Sequence, residues 1–266
     1  MRDYTFKGTH CIGLGAFFTF AALMLLIFVH VGQVNPGKVP SSISMATMNV
    51  SALGAALQAS TGDPSRGLYN ADNRSIGLNH GLQYVYSWGL YSVCGYFYNA
   101  TFDGGGGCTN TSIAFAFTPF DVILSDTPSR FNTPVAPFIT NSQGVDDFIN
   151  SGYFTTFTHA AYYLILVATI ATALALIIGV WRYTATFVIS TLLVVIAAIF
   201  LLVSSILWST VIRQAKSIND VRSSQGIPLG IEVQQGNAPY MVWAAFALLV
   251  ASIIPYGISC CTFRRY

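Results

Sequence analysis

The apolar residues of this chain are gathered into four long runs: Cys11 to Val31, Phe157 to Trp181, Tyr183 to Ile212 and Tyr240 to Cys260. Each reaches the ~20 residues needed to cross the hydrocarbon core of a bilayer. None contains an Asp, Glu, Lys or Arg, and Arg182 alone separates the second run from the third. The pattern predicts four transmembrane helices, with segments 1–10, 32–156, 182, 213–239 and 261–266 lying outside them. The first run is long for a signal peptide, and His30-Val31-Gly32-Gln33 offers no small-x-small cleavage site, so it reads as a retained helix. The third run exceeds the hydrocarbon thickness and is expected to tilt or to project beyond the bilayer.

Between the first two runs the pattern changes. Segment 32–156 is far too long for a connector and must form a domain. Gln83 to Cys94, rich in Tyr, Val and Trp, reads as a strand. Ile113, Phe115 and Phe117 alternate with Ala114 and Ala116, the period of a half-buried strand. Asp103-Gly104-Gly105-Gly106-Gly107 reads as the turn between them, because consecutive glycines hold regular structure poorly. Ser44 to Ala59 reads as a short helix, and Phe120 to Asp147, broken by Pro128, Pro134 and Pro137, as an irregular cover. In segment 213–239, Gly230 to Gln234 reads as a strand that adds to an edge of the same sheet.

Composition supports the lipid reading. Charged residues make up only 8% and apolar residues 53% of 266, and mean hydropathy is +0.58. Ordinary soluble domains carry about a quarter charged residues, so lipid must cover much of this surface. A net charge of +2, with no basic cluster longer than two residues, excludes nucleic acid as a partner. Arg2, Lys7, Arg182, Arg264 and Arg265 fall on one side if both termini are cytoplasmic, as the positive-inside rule expects. Trp181 and Tyr183 then mark the inner interface, and Tyr162, Tyr163, Trp208, Tyr240 and Trp243 the outer one.

Sequons and cysteines sort by the same sides. Four Asn-X-Ser/Thr sequons, at Asn49, Asn73, Asn99 and Asn110, all lie in segment 32–156, as expected for N-glycosylation on the luminal face. Cys94 and Cys108 share that oxidising side, and a disulfide between them would contribute about 3 kcal/mol in the chain-entropy account. Cys11, Cys260 and Cys261 lie at the inner edges, where palmitoylation and free thiols are both open readings. No Cys–His cluster points to a metal, and no cofactor is implied. Asp121, Asp126, Asp146 and Asp147 read as solvated loop carboxylates rather than a calcium site. His30 and His159 read as wetted interfacial residues. Ala171, Ala175 and Gly179, and again Ala247 and Ala251, recur at the spacing that lets membrane helices approach closely. Packing within the bundle and a dimer face both fit that spacing.

Gly89-Leu90-Tyr91-Ser92-Val93-Cys94, followed by Cys108, resembles the claudin-type signature Gly-Leu-Trp-x-x-Cys…Cys, with Tyr91 in place of the tryptophan and Trp88 three residues earlier. The wider cysteine spacing, the longer first loop and Phe117-Thr118-Pro119-Phe120 are similar to the fungal tetraspan branch, the Sur-seven/PalI group, with the mating-related Fig proteins as relatives. The resemblance implies a four-helix transmembrane bundle with a disulfide-linked extracellular β-sheet domain. It also implies a multi-pass plasma-membrane protein of the eisosome and cell-wall-organising kind, acting without catalysis. PalI-type pH sensors carry long cytoplasmic tails, whereas about six residues follow the last run here, which argues against that role.

Three classes of function remain. A non-catalytic organiser would associate laterally with membrane proteins, as a homo-oligomer or in a larger complex, and would contact lipid and the cell wall. An auxiliary subunit would serve a channel, a proton pump or a polysaccharide synthase. An enzyme is disfavoured, since His80 is the only histidine well inside the large loop and no nucleophile–base pair stands out. The spans also lack the charged residues expected of an ion path.

Overall fold

The computed structural model describes residues 3–62, 64–70, 76–97, 106–179 and 184–263. In chain order the elements are α1 (Asp3–Val31), α2 (Lys38–Ser41), β1 (Ala46–Asn49), α3 (Leu53–Thr61), β2 (Val85–Trp88), β3 (Val93–Tyr96) and β4 (Gly106–Cys108). There follow α4 (Pro119–Asp126), α5 (Ser129–Thr140), α6 (Asp146–Ile149), α7 (Ser151–Gly179), α8 (Thr184–Ala215), a 3₁₀ segment Lys216–Asp220, β5 (Glu232–Gln235) and α9 (Ala238–Phe263). Helices α1, α7, α8 and α9 are long and apolar enough to cross a membrane. This is a multi-pass membrane protein. The chain divides into a helical unit (1–29, 160–206 and 240–266) and a sheet unit (30–159 and 207–239).

In the helical unit, small residues bring helices close enough for hydroxyls to reach backbone across the interface. Ala171, Ala175 and Gly179 are buried, and the Ser190 hydroxyl of α8 donates to the Ala175 carbonyl of α7 at 2.8 Å. Ser204 donates likewise to the Ala161 carbonyl at 3.1 Å. In a medium without water such bonds satisfy donors that have few alternatives. The opposite side of α7 presents Tyr163, Val167, Ile170, Leu174 and Ile177, all exposed and spaced four and three apart, an apolar stripe suited to lipid. On α9, Val242, Ala245 and Leu249 face inward, Ala247 is exposed and Ala251 is half-buried.

The sheet unit is built on a five-stranded antiparallel sheet in the order β4-β3-β2-β1-β5. Cys94 and Cys108 stand directly opposite each other on β3 and β4 and form a disulfide. One side of the core is aromatic. Phe117 packs edge-on against Trp88 (5.0 Å between centroids), Phe154 (5.6 Å) and Trp208 (6.3 Å). All four rings are at most 2% exposed, and such pairs add about 0.5–1.5 kcal/mol each beyond burial. Trp208 comes from the late turns of α8, which belong to the sheet unit, so this helix does continue past the helical unit. At the β5 edge the Asn219 amide brackets Val233, donating to its carbonyl at 3.0 Å and accepting from its N–H at 2.7 Å.

Several local expectations need correction. Gln83 to Cys94 is not one strand but the hairpin β2–β3, turning at Gly89–Ser92. Gly106 and Gly107 lie in β4 rather than in a turn. A Cβ on Gly106 would lie 2.7 Å from both the Gly95 carbonyl and the Tyr96 ring, so glycine is what lets this strand dock. Segment 111–118 is irregular, because Ala114 takes a positive φ of 54° that ends any extended run. Its N–H groups at Ser112 and Phe115 bond the carbonyls of Tyr91 and Leu90 instead. Residues 44–59 give β1 and then α3, and the proline-rich cover is helical. In α5 the carbonyls released by Pro134 and Pro137 belong to Arg130 and Thr133, both exposed residues, while Val135 and Ile139 are fully buried.

Replacing both Cys94 and Cys108 by Ser is expected to lower the stability of the sheet unit by about 3 kcal/mol. Thermal unfolding of the purified protein, read with and without reductant, checks this: reductant should shift the native protein and leave the double variant unmoved.

Candidate functional site

The residues of the Gly-Leu-Tyr-x-x-Cys motif converge on the four residues that follow and end α1, His30 to Gln33. Gly89 lies so close to this segment that a Cβ there would meet the Gly32 carbonyl oxygen at 2.4 Å and Gln33 Cβ at 2.8 Å. Leu90 is 1% exposed. The Tyr91 hydroxyl bonds His30 Nδ1 at 2.9 Å, with the rings tilted against each other. The Ser92 hydroxyl donates to the Gln33 carbonyl, and Cys94 Sγ rests 3.2 Å from the same oxygen, a contact without a proton because the sulfur is in the disulfide.

Gln33 is the other half of this clasp. It is fully buried with φ of 57°, a left-handed conformation that costs a non-glycine residue about 1–2 kcal/mol. Every polar group it brings in is paired. Its amide nitrogen donates to the carbonyls of Ser41 (2.8 Å), Ile43 (3.1 Å) and Pro40 (3.2 Å), and its backbone N–H to Pro40 (2.9 Å). Its amide oxygen accepts from the Tyr96 hydroxyl at 2.9 Å, and burial pushes that phenol up to about 12. Gln33 thereby joins α1, α2 and β3 in a single network.

A second polar centre lies at Asp126, the last residue of α4 and only 1% exposed. Its carboxylate accepts from the Tyr86 hydroxyl at 2.6 Å and from the Gly77 N–H, while its carbonyl accepts from the Gly81 N–H at 2.9 Å. The Gln83 N–H in turn donates to the Tyr86 oxygen at 2.9 Å. Burial pushes the carboxyl above its ordinary 3.8, outweighing the opposite pull of the Tyr86 and Gly77 bonds and of His80. Burial likewise holds the Tyr86 phenol well above its usual range. Asp126 is therefore not a solvated loop carboxylate; it ties segment 77–83 to α4. Asp121, Asp146 and Asp147 are exposed, and Asp147 accepts from the Gln214 amide at 3.3 Å. Among the described residues no group of three His, Cys, Asp or Glu could hold a metal ion.

The chain matches the SUR7/PalI family over residues 11–254. It belongs to that family. No curated protein matches it. The SUR7/PalI assignment covers nearly the whole chain and agrees with the architecture: four long apolar helices, a five-stranded antiparallel sheet and the Cys94–Cys108 disulfide, a claudin-like tetraspan.

The other expected site residues fall as follows. Asn49 is exposed on β1, its side-chain oxygen accepting from the Ser51 N–H, and Asn110 is exposed beyond β4. Asn73 and Asn99 lie outside the described residues, as do Arg2, Trp181, Arg182, Tyr183, Arg264 and Arg265, and so do the side chains of Lys7, Cys11, Cys260 and Cys261. His30 is not a freely wetted histidine but a partner of the motif tyrosine. Sequence reading missed Gln33 and Asp126. A lone Gln after a helix carries no pattern, and Asp126 differs from its neighbouring acids only through the fold.

Two outcomes follow. Gly89→Ala is expected to destabilise the sheet unit by roughly 1–3 kcal/mol, since the obstructing atoms are largely backbone, and Tyr91→Phe by about 1 kcal/mol; thermal unfolding in detergent ranks the two. Because Asp126 binds its proton more tightly folded than unfolded, its contribution is fullest below 3.8 and declines as pH rises through its folded value. The unfolding temperature of the native protein relative to Asp126→Asn should therefore fall as pH rises across that window. A difference that rises instead would mean that hydrogen bonding outweighs burial.

Proposed function

We propose that this SUR7/PalI tetraspan is a non-catalytic plasma-membrane protein that organises membrane domains or membrane–wall contacts through lateral association. Both termini are cytoplasmic and the sheet unit is extracellular in this reading, with glycans on the sequons and acyl chains on the inner cysteines. The observation that carries it is the use made of the motif. Gly89, Tyr91 and Cys94 meet the residues that end and follow α1, Leu90 is buried, and Cys108 closes the disulfide on Cys94. A signature spent on rigidity supports a scaffold whose outer surfaces do the work.

A second reading, an auxiliary subunit of a larger membrane complex, is favoured by α9. There Trp243, Ala244, Ala247, Val250 and Ile254 are all exposed on a helix whose inner face is already packed. Two alanines among large apolar residues leave a shallow face that a partner helix can approach closely.

Extraction from the native membrane in mild detergent, followed by sizing and mass spectrometry, tests both readings. Homo-oligomers or lipid-rich clusters support the organiser; a stoichiometric large partner, lost on Ala247→Phe, supports the subunit. A lone monomer would sink lateral association in either form.

A further inference from the structure

Two clefts open side by side in the sheet unit and share Ser223 and Ser224. The larger encloses about 540 Å³ and is lined by Gln143, Ser217, Asp220 and Arg222 together with the shared serines. Small-molecule sites commonly span about 300–1,000 Å³. The smaller, about 280 Å³, adds Pro134, Pro137, Phe138 and Asn141. Their common wall is a hydrogen-bonded turn. Ser223 N–H bonds the Ile227 carbonyl at 2.8 Å, Gly226 N–H bonds the Ser223 carbonyl at 2.8 Å, and the Gln225 amide reaches the Ser60 carbonyl at 3.1 Å. Gly226 and Gly144, which line the larger cleft, both take positive φ, and nothing stands within 4 Å of where their Cβ would be. The cleft is thus held open by backbone already fixed in place.

The lining narrows the ligand chemistry. A cation would meet a single carboxylate, Asp220. An anion would meet a single guanidinium, whose Nη1 already donates to the Gly226 carbonyl at 3.1 Å. An apolar ligand would cover hydroxyl and amide groups without pairing them, at about 1–3 kcal/mol each. A neutral polyhydroxylated chain suits all of these features. Its hydroxyls match Asp220, Gln143 and Asn141, and its C–H faces match Phe138 and the two prolines. We infer that the paired clefts bind a neutral oligosaccharide, with one sugar over Phe138 and the next among the polar groups around Asp220. The inference rests on the extracellular placement proposed above and gives the sheet unit a ligand apart from any lateral partner.

The test titrates the full-length protein in detergent with two probes, a β-linked glucose oligosaccharide and a mannose-rich oligosaccharide, by calorimetry. Hydrogen exchange is followed in parallel on the unaltered protein. Saturable binding of either probe is expected, with protection at 137–144 and 217–226. Phe138→Ala should weaken it by about tenfold, Ser224→Trp should abolish it by filling the shared wall, and Asp121→Ala should leave it unchanged. The two probes separate a wall-type glucan from a glycoprotein glycan as the source. No saturable binding of either, protection elsewhere in the chain, or binding that survives Ser224→Trp in a folded protein overturns the proposal. Endoglycosidase sensitivity of the sequons in intact cells reads the placement separately, so failure of the one is distinguished from failure of the other.

Discussion

A membrane helix that runs into a folded domain must pass its last carbonyls and the chain behind them through a region where neither lipid nor water satisfies them. Here that passage is made at Gln33. The residue is buried and in a left-handed conformation, and it is held there because its backbone and amide are bonded to α2, to the segment after it and to Tyr96 and Ser92. Gly89 then admits this segment without a side chain in the way. The disulfide sits against the same carbonyl. Hairpin, disulfide and helix end form one assembly in which no member is free to shift alone.

Asp126 does a comparable task at the neighbouring central strand, through Tyr86 of β2. Buried carboxylates are costly unless bonded, and this one holds the Gly77 amide and the Tyr86 hydroxyl in place of water, while the backbone carbonyl of the same residue takes the Gly81 amide. Together the two centres fix residues 30–33, β2, β3 and α4 through polar contacts that cannot slide as apolar packing can. Fully paired buried polar groups of this kind give the unit a single defined arrangement.

The four spans could be read directly from the chain because lipid imposes a composition that no soluble helix shares. The Cys94–Cys108 pair was legible because both cysteines fall in the one long segment between the first two spans, and β5 overlaps the strand-like stretch Gly230 to Gln234. Strand assignments around the motif failed for a physical reason. Gly89 to Ser92 has strand-like residues, yet it turns because it must wrap the end of α1, a constraint that comes from residues some sixty positions earlier. The glycines of β4 look unsuited to a strand until the close approach of Gly95 and Tyr96 is seen. Likewise the prolines of α5 fall where the residues whose carbonyls they leave unbonded, Arg130 and Thr133, are exposed. Gln33 and Asp126 carry no local signature; their roles are defined by distant partners.

The bracket that Asn219 places on Val233 has a further meaning for how copies of this protein can gather. A bare outer strand is an invitation for another chain to extend the sheet, and such growth has no natural end. On β5 the outward amide and carbonyl of Val233 are already occupied by a side chain from the same molecule. A neighbouring copy therefore finds no open pairing position at Val233 from which to extend the sheet into a continuing ribbon.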